Sequence, residues 1–414
     1  MNREKRIRIG VIADDFTGAS DAASFLVKSG AKTIMFNEVP EGIEFDCDAV
    51  VIALKTRSVK PDDAISQTKK AIKFLKEINC EKIYFKYCST FDSTPKGNIG
   101  IIGDYLMEYL NVPYTLLCPS LPINGRIVKD GILYVNGVKL DESPLKNHPL
   151  NPMWDSYIPN LMKDQSKYNC YTISQDELNN RFDFIINELS NINEHFYLVP
   201  DYKNDEDGYN IGLKFNNLKF ITGGSGLLEF ILDRSELKQE MKLSKNTVEK
   251  AVILCGSCSK ATKNQVHEYV RFGGTTFAID ANELIDGNLK YKDILDFILN
   301  SNDTVLVYSD AIDKDMSEIR KTTNFKLASK LLEEVFAKLS KELVKEGYNR
   351  IIVGGGETSG AITKELNFDG FYIGESIDPG VPELYPLKND EITLILKSGN
   401  FGSDDFFIKA ARGK

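Results

Sequence analysis

Residues 85–98, FKYCSTFDSTPKGN, gather Ser89, Thr90, Ser93 and Thr94 around Asp92, with Lys86 and Lys96 on the flanks. Hydroxyls, a carboxylate and ammonium groups in one loop can grip a hydroxylated, anionic molecule and orient or deprotonate one of its hydroxyls. A helix cap explains part of the cluster, because Thr94 and Pro95 suit an N-cap and the first helical position. It leaves Asp92, Lys86 and Lys96 unexplained. A second stretch, IADDFTGASD (12–21), sets Asp14 and Asp15 side by side ahead of a helical run. One carboxylate can cap that helix and the other is surplus. Such a pair can accept hydrogen bonds from a polyol, act as a general base or hold Mg²⁺. LKTRS (54–58) adds Lys55 and Arg57, where a cation suits either a carboxylate ligand or an ion pair with a surface acid.

Three glycine- or serine-rich loops point to an anion. VGGGETSGA (353–361) offers Gly355 and Gly356 for close backbone approach, followed by Glu357, Thr358 and Ser359 at a helix start. GSCSKAT (256–262) contributes Ser257 and Ser259, and KSGNFG (397–402) contributes Gly399. None is a Walker A motif or a dinucleotide fingerprint in its usual setting. A tight turn with a capped helix is the competing reading of each. Their shared place at strand ends argues for a nucleotide, since parallel sheets collect ligands at the carboxyl ends of their strands.

These loops need strands and helices to hold them. IRIGVIA (7–13), AVVIAL (49–54), IYFKY (83–87) and YTLLCP (114–119) read as buried strands, with helices over 17–28, from Pro61 to about Ile78, and at about 97–110. RIVKDGILYVNGVKL (126–140) reads as a hairpin turning at Asn136-Gly137. Strand and helix return at HFYLVP (195–200) and KFITGGSGLLEFIL (219–232). A second alternation runs through AVILCGS (251–257), TTFAID (275–280), TVLVYSD (304–310), a long helix over about 325–346, 351–366 and ITLILKSGNFG (392–402). The charged stretch 233–249 is the linker. The expected architecture is α/β, with two domains, 1–235 and 250–414, each a largely parallel sheet flanked by helices. Substrate and nucleotide are expected in the cleft between them, where closure excludes water.

The 414 residues suit two domains, and 42% hydrophobic with 27% charged residues suits a globular chain. A net charge of −9 disfavours nucleic acid and anionic membrane as partners. No run is long and apolar enough to span a bilayer, and the start MNREKRIRIGVIADD lacks a signal-peptide core, so the cytoplasm is expected. Seven scattered cysteines fit reduced thiols, and Cys255-x-x-Cys258 has no second pair and no paired histidines to make a zinc site.

Taken in order, ADDFTGASDAA, KYCSTFDSTPKGNIG, NHPLNPM, VGGGETSGA, GESIDPGVP and LKSGNFG resemble the four-carbon acid sugar kinase family, from about Arg8 to Ala411. KYCSTFDS and NHPLNPM resemble its 3-oxo-tetronate kinase branch, whereas the threonate and erythronate branches usually carry a shorter Lys-x-Asp-Ser-Thr pattern. The resemblance implies an N-terminal sugar-acid domain, a C-terminal nucleotide domain, and ATP-dependent phosphorylation of the C4 hydroxyl of a four-carbon sugar acid. It implies that Asp14, Asp15, Arg57, Lys86, Ser89, Thr90, Asp92 and Ser93 form the substrate side. Asp15 is the expected catalytic carboxylate and Asp92 the second choice. It implies that Ser257 with its loop neighbour Ser259, the stretch Gly355, Gly356, Glu357 and Thr358, and Gly399 meet ATP. Mg²⁺ is expected mainly on the ATP phosphates, with Asp378 either near it or shaping its loop. His148 in NHPLNPM can contact substrate or serve the loop, and Lys96 can bind an anion or face solvent. Oligomer formation is left open.

Three other readings compete. A D-threonate or D-erythronate kinase would share fold and mechanism. An NAD-dependent dehydrogenase fits two α/β domains but not a first strand running into ADDFTGAS. A non-catalytic sugar-acid sensor would have dispensed with the acidic or glycine-rich motifs, and both are present.

Overall fold

The computed structural model describes residues 7–42, 45–147, 151–237, 248–313 and 325–413. The chain divides into two compact units, Met1–Met241 and Lys242–Lys414. Most of the expected linker (238–247) and His148 lie outside the described residues.

In the first unit the strands are β1 (Ile7–Ala13), β2 (Thr33–Phe36), β3 (Ala49–Ala53), β4 (Cys80–Lys86), β5 (Tyr114–Cys118), β6 (Arg126–Lys129), β7 (Ile132–Val135), β8 (Val138–Lys139), β9 (Asn169–Ile173), β10 (Phe196–Pro200) and β11 (Phe220–Gly223). The main sheet runs β2-β3-β1-β4-β11-β5-β10-β9, and its pairs are parallel. Strands covered on both faces become continuous apolar runs, as in AVVIA and FYLVP, where every residue is buried. Register decides what this does for function. Ala13 lies opposite both Ala53 and Lys86, and Gly223 opposite Lys86 and Cys118. The loops that leave β1, β3, β4, β5 and β11 therefore emerge side by side.

Several local expectations change. The hairpin over 126–140 is a three-stranded meander, β6-β7-β8, with a second turn at Asp130-Gly131. Asp130 and Gly131 have φ of +52° and +73°, and Asn136 and Gly137 have +52° and +81°. Positive φ at both central residues is what two-residue hairpin turns require, and Asp-Gly meets it as Asn-Gly does. The helix expected from about 97 begins at Ile99, and Pro95 lies in the turn before it, so Thr94-Pro95 is not its cap. Asn98 holds the N-cap position, but its side chain donates to the carbonyls of Thr56 (2.7 Å) and Val59 (2.9 Å), tying this loop to the one after β3. After β11 a single 3₁₀ turn, Gly226–Glu229, replaces a full helix.

The second unit contains β12 (Ala251–Cys255), β13 (Thr275–Ile279), β14 (Val305–Ser309), β15 (Arg350–Gly354), β16 (Gly370–Asp378), β17 (Val381–Pro386) and β18 (Thr393–Lys397), in the order β13-β14-β12-β15-β18-β17-β16. The pairs from β13 to β18 are parallel, while β18-β17 and β17-β16 are antiparallel. The β16–β17 hairpin, turning at Pro379-Gly380, is an element that the alternation of apolar runs does not mark. Phe406 and Phe407 of the last described helix seal the core against Ile253, Ile352 and Ile395. Cys255 lies opposite Gly354, and Gly354 opposite Lys397, so three strand ends again align. Among the described residues, no helix is long and apolar enough to cross a membrane.

Arg350 anchors the start of β15. It is 4% exposed, donates from Nε to the Ala410 carbonyl at 2.6 Å, and donates from Nη2 to Glu383 at 2.7 Å. Arg350→Met leaves the Glu383 carboxylate without its cation and should destabilise the chain by about 3–5 kcal/mol. Urea unfolding followed by circular dichroism measures this, and a loss below about 1 kcal/mol contradicts it.

Candidate functional site: a carboxylate corner and a glycine cradle

The corner of the first unit is built where β1 and β3 end. Asp15 caps the helix Phe16–Lys28, accepting from Gly18 N at 2.7 Å. Asp14 is the surplus acid, and Arg57 takes it in a two-pronged grip, with Nε to Oδ2 at 2.8 Å and Nη2 to Oδ1 at 2.9 Å. Arg57 Nη1 also lies 2.9 Å from Asp15 Oδ2. One guanidinium thus serves two adjacent carboxylates. The Asp14 side chain is 4% exposed and that of Asp15 is 32% exposed, so Asp15 is the acid that a ligand can reach. Burial pushes the Asp15 carboxyl above its ordinary pKa; Asp14 adds to the rise, while Arg57 and Lys86 oppose it. Lys86 is 3% exposed at the end of β4. A Cβ on Gly18 would stand 2.4 Å from Asp15 Oδ1 and 2.6 Å from Lys86 Nζ, so a glycine is needed for these groups to gather under the helix start.

The 86–98 loop is not a uniform ring of donors. Asp92 accepts from Asn151 at 2.7 Å and is half-buried. Thr90 pairs with the Cys88 thiol at 2.9 Å. Ser93 is buried and donates to Gln165 at 2.9 Å, which gives its hydroxyl a structural partner. Ser89 stays half-buried, and Lys96 and Lys55 are exposed. Asp21 and Arg126 also belong to this corner, through electrostatic coupling that joins Asp21 to Lys86, Asp15 and Arg126. Asp21 lies within the ADDFTGASD motif and could have been suspected from it. Arg126 sits in a hairpin whose sequence gives no such signal.

In the second unit the three loops meet. Gly256 N and Ser257 N donate to the Gly354 carbonyl at 3.0 Å each, and Gly355 N donates to the Lys397 carbonyl at 2.9 Å. Ser259 caps the helix Lys260–Arg271 and donates its hydroxyl to the Gly399 carbonyl, which also accepts from Thr262 at 2.9 Å. A Cβ on Gly399 would stand 2.6 Å from Ser257 Oγ, and one on Gly256 would stand 2.2 Å from Thr358 Oγ1. Gly355, with φ +129°, turns the chain into the helix Gly356–Glu365. Gly356 and Glu357 are exposed at that helix start, where first-turn N–H groups lack helical partners. Ser359 donates to the Gly355 carbonyl at 2.7 Å, and Thr358 is buried against Gly256, so these hydroxyls face inward.

Asp378 has a structural occupation. Its Oδ2 accepts from Ser403 N at 2.8 Å and Ser403 Oγ at 2.7 Å, and Lys409 lies 3.5 Å from Oδ1. Among the described residues, no group of three His, Cys, Asp or Glu is placed to hold a metal ion.

Lys397 is a buried cation absent from the sequence-based site. It is 1% exposed and donates to Thr262 at 3.0 Å and to the Ser398 carbonyl at 3.1 Å. Burial lowers its pKa from 10.5 to about 8, against an opposing influence of Cys255. The folded chain thus loses this proton near pH 8, while an unfolded lysine keeps it to about 10.5. The penalty is complete below pH 8 and disappears as pH rises to 10.5. Wild type should gain on the order of 3 kcal/mol over Lys397→Met across that window, measured by denaturant unfolding at each pH. A constant difference between the two proteins contradicts this assignment.

Comparison with known proteins bears on both constellations. Residues 9–231 match the sugar-binding N-terminal domain, and residues 252–407 match the nucleotide-binding C-terminal domain. The chain is 40% identical to a 3-oxo-tetronate kinase of Brucella melitensis biotype 1, over 98% of this chain and 95% of that one. It is 40% identical to a 3-oxo-tetronate kinase of Salmonella typhimurium LT2 (98% and 99%), and 38% identical to one of Escherichia coli K12 (90% and 99%). A solved Haemophilus influenzae structure superposes with a TM-score of 0.80 at 39% identity, covering 97% of this chain and 98% of its own. With both domains matched and relatives aligned over nearly their whole length, the chain belongs to the four-carbon acid sugar kinase family, in the branch of the 3-oxo-tetronate kinases.

Proposed function

We propose that this chain is an ATP-dependent kinase that phosphorylates the C4 hydroxyl of 3-oxo-tetronate, giving 3-oxo-tetronate 4-phosphate and ADP. The observation that carries the proposal is the reachable carboxylate of Asp15, held beside Arg57 in the sugar-binding unit of a chain whose other unit carries the glycine cradle. Asp15 is the acceptor-side base: it orients the C4 hydroxyl and takes its proton as the hydroxyl oxygen attacks the γ-phosphorus of ATP. Its raised pKa brings it closer to the working pH and makes it a better proton acceptor than an ordinary carboxylate. Arg57 holds the Asp14–Asp15 pair oriented. Lys86, Ser89, Thr90 and Asp92 line the sugar-acid side, with Ser93 holding the loop through Gln165.

Backbone N–H groups at Gly356 and Glu357, together with Ser257, Ser259, Thr358 and Gly399, form the nucleotide side, with Thr358 and Ser259 shaping the cradle from within. Mg²⁺ carried on the ATP phosphates would offset their charge, and Asp378, which serves Ser403 and Lys409, would shape the loop beside it. The seven free cysteines fit a reducing compartment, the cytoplasm.

A coupled ADP-release assay with Mg-ATP tests this by comparing 3-oxo-tetronate with D-threonate and D-erythronate. Turnover confined to the 3-oxo acid is expected. Preference for a 3-hydroxy acid overturns the substrate, and no ADP from any of them overturns the kinase. Asp15→Asn should lower kcat about 10²- to 10⁴-fold with little change in KM for ATP, and near-normal kcat removes Asp15 as the base. Because the raised carboxyl must be ionised to accept a proton, activity should fall with acidity at a pH above the ordinary carboxylate range of about 4.

A further inference from the structure

Arg57 is the cation that the sequence offers to a substrate carboxylate, yet its guanidinium is committed. Nε, Nη1 and Nη2 each face Asp14 or Asp15. Lys86 lies under the helix start and is attracted to Asp15 and Asp21. The carboxylate that makes a four-carbon sugar an acid needs another partner.

Arg126 is the first residue of β6, beyond the loop that leaves β5. Its backbone is pinned to Leu121 on both sides, with Leu121 N to Arg126 O at 2.8 Å and Arg126 N to Leu121 O at 3.1 Å. The Leu121 backbone in turn lies against Gly226, next to Ser225, since a Cβ on Gly226 would stand 3.2 Å from Leu121 Cα. The Ser225 hydroxyl donates to Asp21 Oδ2. This corner holds an unusual set of buried polar atoms without partners: Asp21 Oδ1, Arg126 Nε and Ser120 Oγ. Asp21 is 4% exposed and Ser120 is fully buried. Arg126 donates from Nη1 to the Asn124 carbonyl. Asp21 and Arg126 have opposite charge and lie within electrostatic reach, but no direct ion pair joins them among the described residues. Orphaned buried donors and acceptors are costly, and a group that satisfies both at once stabilises the corner.

We propose that Arg126 is a specificity residue of the sugar-acid site: its half-buried guanidinium takes the substrate carboxylate, and the buried Asp21, within electrostatic reach of it, is a positioning residue. The guanidinium fork matches a carboxylate in plane. The effect of both residues lies in recognition. The proposal rests on the sugar-acid kinase reading above.

The test uses the full chain with Mg-ATP and compares the sugar acid with erythrulose, a four-carbon ketose that lacks the carboxylate. Arg126→Met should raise KM for the acid roughly 10- to 100-fold and reduce the preference for acid over erythrulose by a similar factor. KM for ATP should stay within about two-fold. Arg126→Lys should recover part of the preference. Asp21→Asn should raise KM for the acid more than for erythrulose, since it acts through Arg126. If Arg126→Met keeps the wild-type preference, or KM for ATP rises in step with KM for the acid, Arg126 has no recognition role and the proposal is overturned while the kinase stands. If the wild type turns over no four-carbon acid at all, both fail together.

Discussion

Two carboxylates that are neighbours in sequence repel one another where solvent is scarce, and Arg57 is a cation shared by Asp14 and Asp15. The rest of the first unit follows from where that cation must stand. Arg57 can reach because β3 lies beside β1 with Ala13 opposite Ala53, so residues four beyond Ala53 and one or two beyond Ala13 leave the sheet on one edge. Asn98 then bonds the carbonyls of Thr56 and Val59, which fixes the Arg57 loop to the start of the helix at Ile99. Gly18 leaves room for the Asp15 carboxylate and Lys86 to approach one another. Charge, register and a missing side chain all serve one geometry.

The second unit solves a different problem with a different chemistry. Its loops contain little charge of their own. They are held by hydroxyls and one buried ammonium converging on the Gly399 carbonyl, with Ser259, Thr262 and Lys397 all directed there. Because those hydroxyls are engaged inside the loops, the groups presented to a ligand are chiefly backbone N–H groups at the Gly356–Glu365 helix start. A cradle of this kind recognises negative charge and shape.

Much of this was legible in the sequence, and the reasons are local. Buried parallel strands write themselves as unbroken apolar runs, and charged or small residues that follow such runs mark the loops at the sheet's functional edge. A cap and a surplus acid in the Asp14–Asp15 pair, and the meeting of the 256–262, 353–361 and 397–402 loops, follow from that grammar; which acid does which does not. Direction was not legible. Ser93 and Thr358 have the right chemistry for a ligand, but they point at Gln165 and Gly256. Asp378 read equally as a group near Mg²⁺ or as a loop-shaping residue, and its carboxylate accepts from Ser403. Arg126 and Asp21 are more than a hundred residues apart, and no periodicity announces their meeting. The helix expected from about 97 starts at Ile99, and nothing in the sequence tells that Asn98 crosses to another loop rather than capping it with its side chain.

The three-stranded sheet β6-β7-β8 stands apart from the large one and is joined to its surroundings through isolated bridges such as Leu121–Arg126 and Val128–Tyr202. Its turns need only Asp-Gly and Asn-Gly, and its strands are two to four residues long. Val128 and Leu133 are fully buried, so the small sheet is packed into its unit and only its turns are open to insertion. Because β6 also carries Arg126, a change in these turns can retune what that arginine meets while the acids and glycines on the main sheet edge stay as they are.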